Sequence, residues 1–355
     1  MVGTGMIGTV HRRSALAAGA AVTGVLASTP ERSREQAARW HTRGYGSLDE
    51  VLADEAVDVV HICTPNATHA DFAARALAAG KHVVCEKPLA TSVADAERLA
   101  ALARETGLVA TVPFVYRYHP LVREIRARRI AGEFGDWHLM HGSYLQDWML
   151  SPAATDWRVD PDAGGASRAF ADIGSHWCDL VEWTSGERFH RLVAEMSTSV
   201  PERPAAPGAD AAAVRTEDSA GLVLRTASGV LASAVVSQVA AGRKNRLWFE
   251  LDGARASAVF DQENPESVWI GAPDEARVLF RDPQTGSAEQ RRLSVLPPGH
   301  PQGYAQCFDA FVADTYAAID GAAPEGLPTF EDGLRATRVV AAAIRSASTA
   351  TWTEI

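Results

Sequence analysis

Up to residue 118, short apolar runs alternate with alanine- and arginine-rich stretches of helical spacing, and few folds accommodate that alternation. The apolar runs, at 22–27, 57–64, 81–85 and 109–113, read as strands. Segments 31–42, 69–79 and 92–106 lie between them and read as helices, with Gly80 and Gly107 as C-terminal stops. Continuous apolar strands separated by helices predict a parallel sheet covered on both faces, a doubly wound α/β domain.

The rhythm changes after residue 118. A helix over 120–131, closed by Gly132, precedes runs that alternate apolar with polar at 137–147, 192–200, 220–224, 230–239, 247–251 and 256–260. Such alternation predicts an α+β domain with an open-faced, mostly antiparallel sheet, one face packed and the other free. Segments 201–213 and 296–303 read as loops, and helices at 304–320 and 330–346 close the chain, the second started by a Thr329-x-x-Asp332 capping box. The expected division is 1–118 and 119–355, with the final helix packing back on the first domain.

Asp+Glu 44 against Lys+Arg 34 gives a formal charge of −10 over 355 residues, which argues against nucleic acid or an anionic membrane as partner. No run approaches the ~18 apolar residues needed to cross a bilayer. Cys63, Cys85, Cys178 and Cys307 form no Cys-x-x-Cys pair, as expected of reduced thiols in a cytoplasmic protein. His11-Arg12-Arg13-Ser14 before an Ala/Gly-rich run has the look of a twin-arginine export signal, but the glycines ahead of it have a better use.

Those glycines, in Gly3-Thr4-Gly5-Met6-Ile7-Gly8, fit the dinucleotide-binding fingerprint: a tight turn, close approach of backbone to pyrophosphate, and close packing of helix on strand. Only Met1 and Val2 precede Gly3, so the first strand is expected to be a stub or to draw on residues upstream of this numbering. The second strand ends in Ser28-Thr29-Pro30-Glu31-Arg32 where NAD binding favours a lone acid; the hydroxyls of Ser28 and Thr29 with Arg32 suit a 2′-phosphate, which favours NADP over NAD. Thr64, Pro65, Asn66 and His69, and then Glu86 and Lys87 of Glu-Lys-Pro, follow the ends of parallel strands, where open sheets place ligands. Lys87 could polarise a carbonyl or donate a proton there.

Asp172 and His176 are four apart at the start of a helix expected over 173–184, so they share a face: an imidazole to take a hydroxyl proton and a carboxylate to steady it. A capping aspartate and a core histidine are the structural alternative. Asp179 lies seven residues on, but no second histidine follows at usable spacing, so no metal is expected. Gln146, Trp148, Trp157, Arg158 and Arg168 surround the approach to Asp172 and suit a hydroxyl-rich ring, as an aromatic core would also explain; His300 is a weaker rim candidate. His138 and His141, three apart on one strand, face opposite sides and read as structural.

The run Gly-x-Gly-x-x-Gly, Thr-Pro-Asn-x-x-His at 64–69 and Gly-Lys-His-Val-x-x-Glu-Lys-Pro at 80–88 resembles the Gfo/Idh/MocA oxidoreductases, relatives of glucose–fructose oxidoreductase and inositol dehydrogenase. The resemblance continues through Tyr116-Arg117, Gly132-Glu133-Phe134-Gly135, Gly164-Gly165 and Asp172-Ile173-Gly174-Ser175-His176. It implies a Rossmann domain and a second domain carrying the sugar site, with Lys87, Asp172 and His176 catalytic. It also implies Arg117 at the cofactor, Tyr116 at the substrate, and a homodimer or homotetramer built through the free sheet face. The reaction implied is hydride transfer between NAD(P) and one ring carbon of a sugar, sugar derivative or cyclitol. Two alternatives share the architecture: a glycosidase that oxidises its substrate only transiently, and a non-catalytic sensor.

Overall fold

The computed structural model describes residues 1–204 and 209–355. It divides into two compact units, one of Met1–Val115 with Cys307–Thr337 and the other of Tyr116–Gln306 with Arg338–Ile355. The boundary expected at 118/119 thus falls slightly earlier, and the first unit also takes back a late segment, so each unit is built from two stretches of chain.

The first unit is a parallel sheet in the order Arg43–Gly44, Gly24–Val25, Val2, Val59–Ile62, His82–Cys85, Ala110–Thr111, with Val2 joined to its neighbours by single bridges. Successive residues Val83, Val84 and Cys85 are all fully buried, so both faces of their strand are covered. The helix His69–Ala78 buries Ala73, Ala76 and Leu77, and Val93–Thr106 buries Ala96, Leu99 and Ala100, the i, i+3, i+4 stripe read from the sequence. Thr29, Ser47 and Ser92 cap helices through their hydroxyls, and Gly80 and Gly107 stop them at φ 75° and 67°. Two short elements are additions to the sequence reading, the strand Arg43–Gly44 and the helix Leu48–Ala53.

In the second unit a nine-stranded sheet runs Ala276–Phe280, Ser267–Gly271, Ser257–Asp261, Arg246–Gly253, Trp137–Leu145, Leu231–Ser237, Ser219–Thr226, Phe189–Ser197, Thr353–Glu354. Only Leu231–Ser237 beside Trp137–Leu145 is parallel. The helix Ser175–Ser185 lies close on the sheet because Gly142 has no side chain: a Cβ there would come within 2.2 Å of the Trp248 carbonyl oxygen and 2.5 Å of Trp177 Nε1. Trp177 Nε1 instead donates to that carbonyl at 3.0 Å. The opposite face is free, with Val235 at 53%, Val278 at 52% and Phe280 at 70% exposure.

The stretch 201–213 is not wholly loop. Glu202–Pro204 and Ala211–Ala213 pair as a short antiparallel ladder, and 205–208 lie outside the described residues. Of the Thr329 box the returning half is seen, Asp332 Oδ2 accepting from Thr329 N at 2.8 Å.

Candidate active site

The glycine turn is shaped by its first member. Gly3 sits at φ 100°, and a Cβ on it would lie 2.4 Å from the Cys63 carbonyl oxygen; one on Gly8 would lie 2.4 Å from the Gly3 carbonyl oxygen. A Cβ on Gly5, by contrast, would meet nothing within 4 Å. Gly5 is the N-cap of the helix Met6–Ala17, no side chain caps that terminus, and its first turn carries no acid. Open space in front of uncapped amide groups, at the positive end of a twelve-residue helix, fits a dinucleotide pyrophosphate. Thr4, Met6 and Ile7 lie along this turn, with Met6 largely exposed. At the next strand end Ser28, Thr29 and Arg32 are all exposed; Arg32 Nη1 donates to Ser28 Oγ at 3.0 Å, while Thr29 Oγ1 accepts from Arg32 N at 3.2 Å as the helix cap.

Thr64 and Pro65 are accessible on the loop after Val59–Ile62, and Asn66 is buried beside them. His69, expected to touch the cofactor, is a staple instead. Its Nδ1 lies 2.7 Å from the Pro88 carbonyl oxygen and its Nε2 2.9 Å from that of Thr64, tying the two loops together and leaving neither nitrogen for a ligand. Burial lowers its pKa, and the two carbonyls pull the other way. Glu86 is also withdrawn from the cofactor role: it is buried, with Oε1 3.0 Å from His11 Nε2 and Oε2 accepting from Lys87 N at 3.1 Å. Lys87 is half-buried.

In the second unit Asp172 does not start an α-helix. Phe170–Gly174 form a π-helical turn leading into Ser175–Ser185, so the expected α-helical i, i+4 geometry between Asp172 and His176 is replaced by a wider winding. Single π-turns inside helices are frequent at functional sites. The N-cap of Ser175–Ser185 is Gly174, not Asp172, whose Oδ2 accepts from Gln238 Nε2 at 2.7 Å and whose Oδ1 lies 3.5 Å from Arg158 Nε. The His176 ring meets Tyr116 edge to face at 5.0 Å between centroids. Around them the Tyr116 and Tyr144 hydroxyls lie 2.6 Å apart, Tyr144 donates to Asn245 Oδ1 at 2.7 Å, and Gln146 Nε2 donates to the same oxygen at 2.7 Å. Trp148, 40% exposed, anchors its indole N–H on Gln146 Oε1 at 2.9 Å, which leaves its ring accessible. Burial pushes the Tyr144 pKa well up, with Tyr116 and Asp172 adding to it, so the phenol stays neutral.

Two known domain families account for most of the sequence. Residues 1–114 match the oxidoreductase family with NAD-binding Rossmann fold, and 122–259 match the GFO/IDH/MocA C-terminal domain. The chain belongs to the Gfo/Idh/MocA oxidoreductase family. Among curated relatives of this family member, levoglucosan dehydrogenase of Pseudarthrobacter phenanthrenivorans is 31% identical over 93% of the chain and 88% of the relative. Among solved structures, an oxidoreductase domain protein from Kribbella flavida superposes with a TM-score of 0.91 at 31% identity, covering 100% of this chain and 98% of that one. A levoglucosan dehydrogenase complex with NADH and levoglucosan gives the same TM-score of 0.91 at 27% identity and the same coverage, 100% and 98%.

Several other expected site residues of this Gfo/Idh/MocA chain lie elsewhere. Arg117 is buried against Asp179, its Nε donating to Oδ2 at 2.8 Å, which engages both the expected cofactor ligand and the acid weighed as a metal ligand. Arg168 is fully buried, ion-paired with Asp218, and so is part of the core rather than the substrate site. His300 is exposed in its Pro/Gly-rich loop, Nδ1 3.4 Å from the Pro298 carbonyl oxygen. Trp157 stacks under the Arg158 guanidinium at 4.3 Å, and Arg158 in turn lies 3.5 Å from Asp172. Gln238 and Asn245 were not singled out in the sequence; a lone amide at the end of the apolar run 230–239 was the available signal for Gln238. Among the described residues the cluster His141, Glu250 and Asp252 brings metal-ligating atoms together, with His141 Nε2 at 3.6 and 3.7 Å from the two carboxylates. It lies on the free sheet face, opposite the one that carries Tyr144.

Proposed function

We propose that this enzyme interconverts a secondary alcohol and a ketone on one ring carbon of a neutral, hydroxyl-rich sugar or cyclitol, with Lys87, Asp172 and His176 carrying the chemistry. The observation that carries the reading is the set of groups around Asp172. Phenols, amides and an accessible indole supply hydrogen bonds and a stacking surface for a polyol ring. The bound nicotinamide supplies the hydride acceptor or donor. In the oxidative direction His176 takes the hydroxyl proton as hydride leaves the carbon, Asp172 stabilises the imidazolium, and the Lys87 ammonium stabilises the developing alkoxide. The test is a panel of pyranoses, anhydrosugars, inositols and their keto forms, scored by absorbance of the reduced nicotinamide. Steady turnover on at least one of them supports the reading; binding without turnover across the panel would turn it toward a sensor.

NADP is the favoured cofactor, because Ser28, Thr29 and Arg32 gather exposed hydroxyls and a guanidinium suited to a 2′-phosphate, while the neighbouring Glu31 carboxylate is taken up by Arg34 at 2.8 Å and by Thr29. NADPH should quench protein fluorescence at lower concentration than NADH. Equal affinities, or NADH tighter by about tenfold (~1.4 kcal/mol), would contradict this.

The free sheet face supports a homodimer or homotetramer, since Val235, Val278 and Phe280 leave an apolar surface that water does not suit. Light scattering at micromolar concentration should give a multiple of 37.9 kDa, and a monomeric mass would contradict it. A cytoplasmic setting agrees with four buried cysteines that form no disulfide. Among the described residues no helix is long and apolar enough to cross a membrane.

A further inference from the structure

Under the Glu-Lys-Pro loop a line of buried polar side chains crosses the first unit. His11 stands on the helix that follows the glycine turn and is fully buried. Its Nε2 lies 3.0 Å from Glu86 Oε1, and its Nδ1 lies 2.9 Å from Nδ1 of His61, itself buried. His61 Nε2 lies 2.8 Å from the Tyr316 hydroxyl. Phe308 packs edge-on against the His11 ring at 4.7 Å.

Counting protons leaves two arrangements. An ionised carboxylate only accepts, so His11 Nε2 must carry a hydrogen. The two facing Nδ1 atoms share one hydrogen between them. If His11 carries it, His11 is an imidazolium, and His61 is neutral and donates through Nε2 to Tyr316. The charges around the pair favour that arrangement. Burial opposes a charge on His11, but the Cys63 sulfur and the Glu86 carboxylate outweigh it and hold its pKa up to about 10. Burial and the charge of His11 press His61 well below the usual histidine range. Burial opposes ionisation of Glu86, but the hydrogen bond and charge of His11, with the charge of Lys87, hold its pKa below the usual carboxylate range. Its second oxygen accepts the Lys87 amide hydrogen at 3.1 Å, and its own amide is fixed to the Ile62 carbonyl at 2.9 Å.

A buried ion pair is no better for stability than apolar side chains of the same volume, so its use lies in what it holds still. We propose that His11 is a positioning residue: paired with Glu86 and keyed by His61 and Tyr316, it fixes the backbone of Lys87 so that the ammonium is presented in one place. This rests on the catalytic assignment of Lys87 made above. A charge displaced by as little as an ångström loses much of its effect on the reacting oxygen.

The test combines substitution with a direct reading of protonation. His11→Phe keeps ring volume without the donor; His11→Gln keeps a neutral donor. Turnover should fall roughly 10- to 100-fold in His11→Phe, with dinucleotide affinity within about twofold and partial recovery in His11→Gln. In a Lys87→Met background, His11→Phe should cost nothing further, because the group it positions is gone. In nitrogen-15 spectra of the intact protein, the signals lost in His11→Gln should belong to a ring with both nitrogens protonated from mildly acidic pH to about pH 9. If His11→Phe does not fold, the His11→Gln kinetics and the spectra decide alone. A neutral His11 ring, normal turnover in both His11 variants where Lys87→Met is impaired, or losses that multiply in the double variant would overturn the positioning role and leave Lys87 catalytic. Normal turnover in Lys87→Met would overturn the catalytic assignment itself.

Discussion

Lys87→Met should lower turnover by roughly 100-fold or more while leaving dinucleotide affinity nearly unchanged. Methionine keeps most of the lysine stem and removes the charge. When hydride leaves a carbinol carbon, negative charge builds on oxygen, and a fixed ammonium beside it is worth far more at that moment than in the ground state. Loss of one such group typically costs about 2.7–4 kcal/mol of transition-state stabilisation. The pyrophosphate turn is built from Gly3, Gly5 and the first turn of Met6–Ala17, a different loop from the one that carries the lysine, so affinity is the internal control. Turnover and fluorescence titration on one folded sample give both numbers. A variant that loses affinity and turnover together would place Lys87 in cofactor binding instead.

The residues that were legible in the sequence and those that were not divide on physical grounds. Parallel strands such as His82–Cys85 declare themselves because burial on both faces demands continuous apolar residues, and the Glu86-Lys87-Pro88 that follows could be placed at the strand end. The central strands of the antiparallel sheet show their packed face as alternation. The outer strand Ala276–Phe280 does not, because every residue in it is exposed or half-exposed and nothing forces a period on the sequence. Asp172 and His176 were legible as a pair, yet their spacing was read on an α-helix. A π-turn leaves no mark in composition, and here the space for it is set by Gly174, where a Cβ would lie 2.2 Å from the Phe170 ring. Charged side chains were the hardest to place. Arg117, Arg168 and Glu86 stand near functional motifs in sequence, and each turns inward to an opposite charge far along the chain. Sequence distance says nothing about which partner a buried charge has found.

Arg168 allows that last point to be tested by stability rather than activity. It shares the carboxylate of Asp218 with Arg203: all three are buried, Arg203 Nη2 donates to Asp218 Oδ1 at 3.3 Å, and Val200 N donates to Oδ2 at 2.8 Å. Glu217 completes the cluster and braces the approach to Asp172, accepting from Phe170 N at 2.8 Å and Ser167 Oγ at 2.7 Å. Two guanidiniums and two carboxylates balance in a buried cluster. Asp218→Ala leaves two buried cations facing one carboxylate, and removing one member of a buried pair costs about 3–5 kcal/mol because the remaining charge has nowhere to go. Asp218→Ala should therefore lower the urea midpoint of the second unit sharply, and Arg168→Met should lower it in the same direction. Of nine tryptophans only Trp40 lies in the first unit, so tryptophan fluorescence follows the second unit's transition. Were Arg168 a substrate ligand, Arg168→Met would raise KM and leave that midpoint where it was. A midpoint that does not move in either variant would mean that the cluster is hydrated and that the bracing of Asp172 rests on Glu217 and the backbone alone.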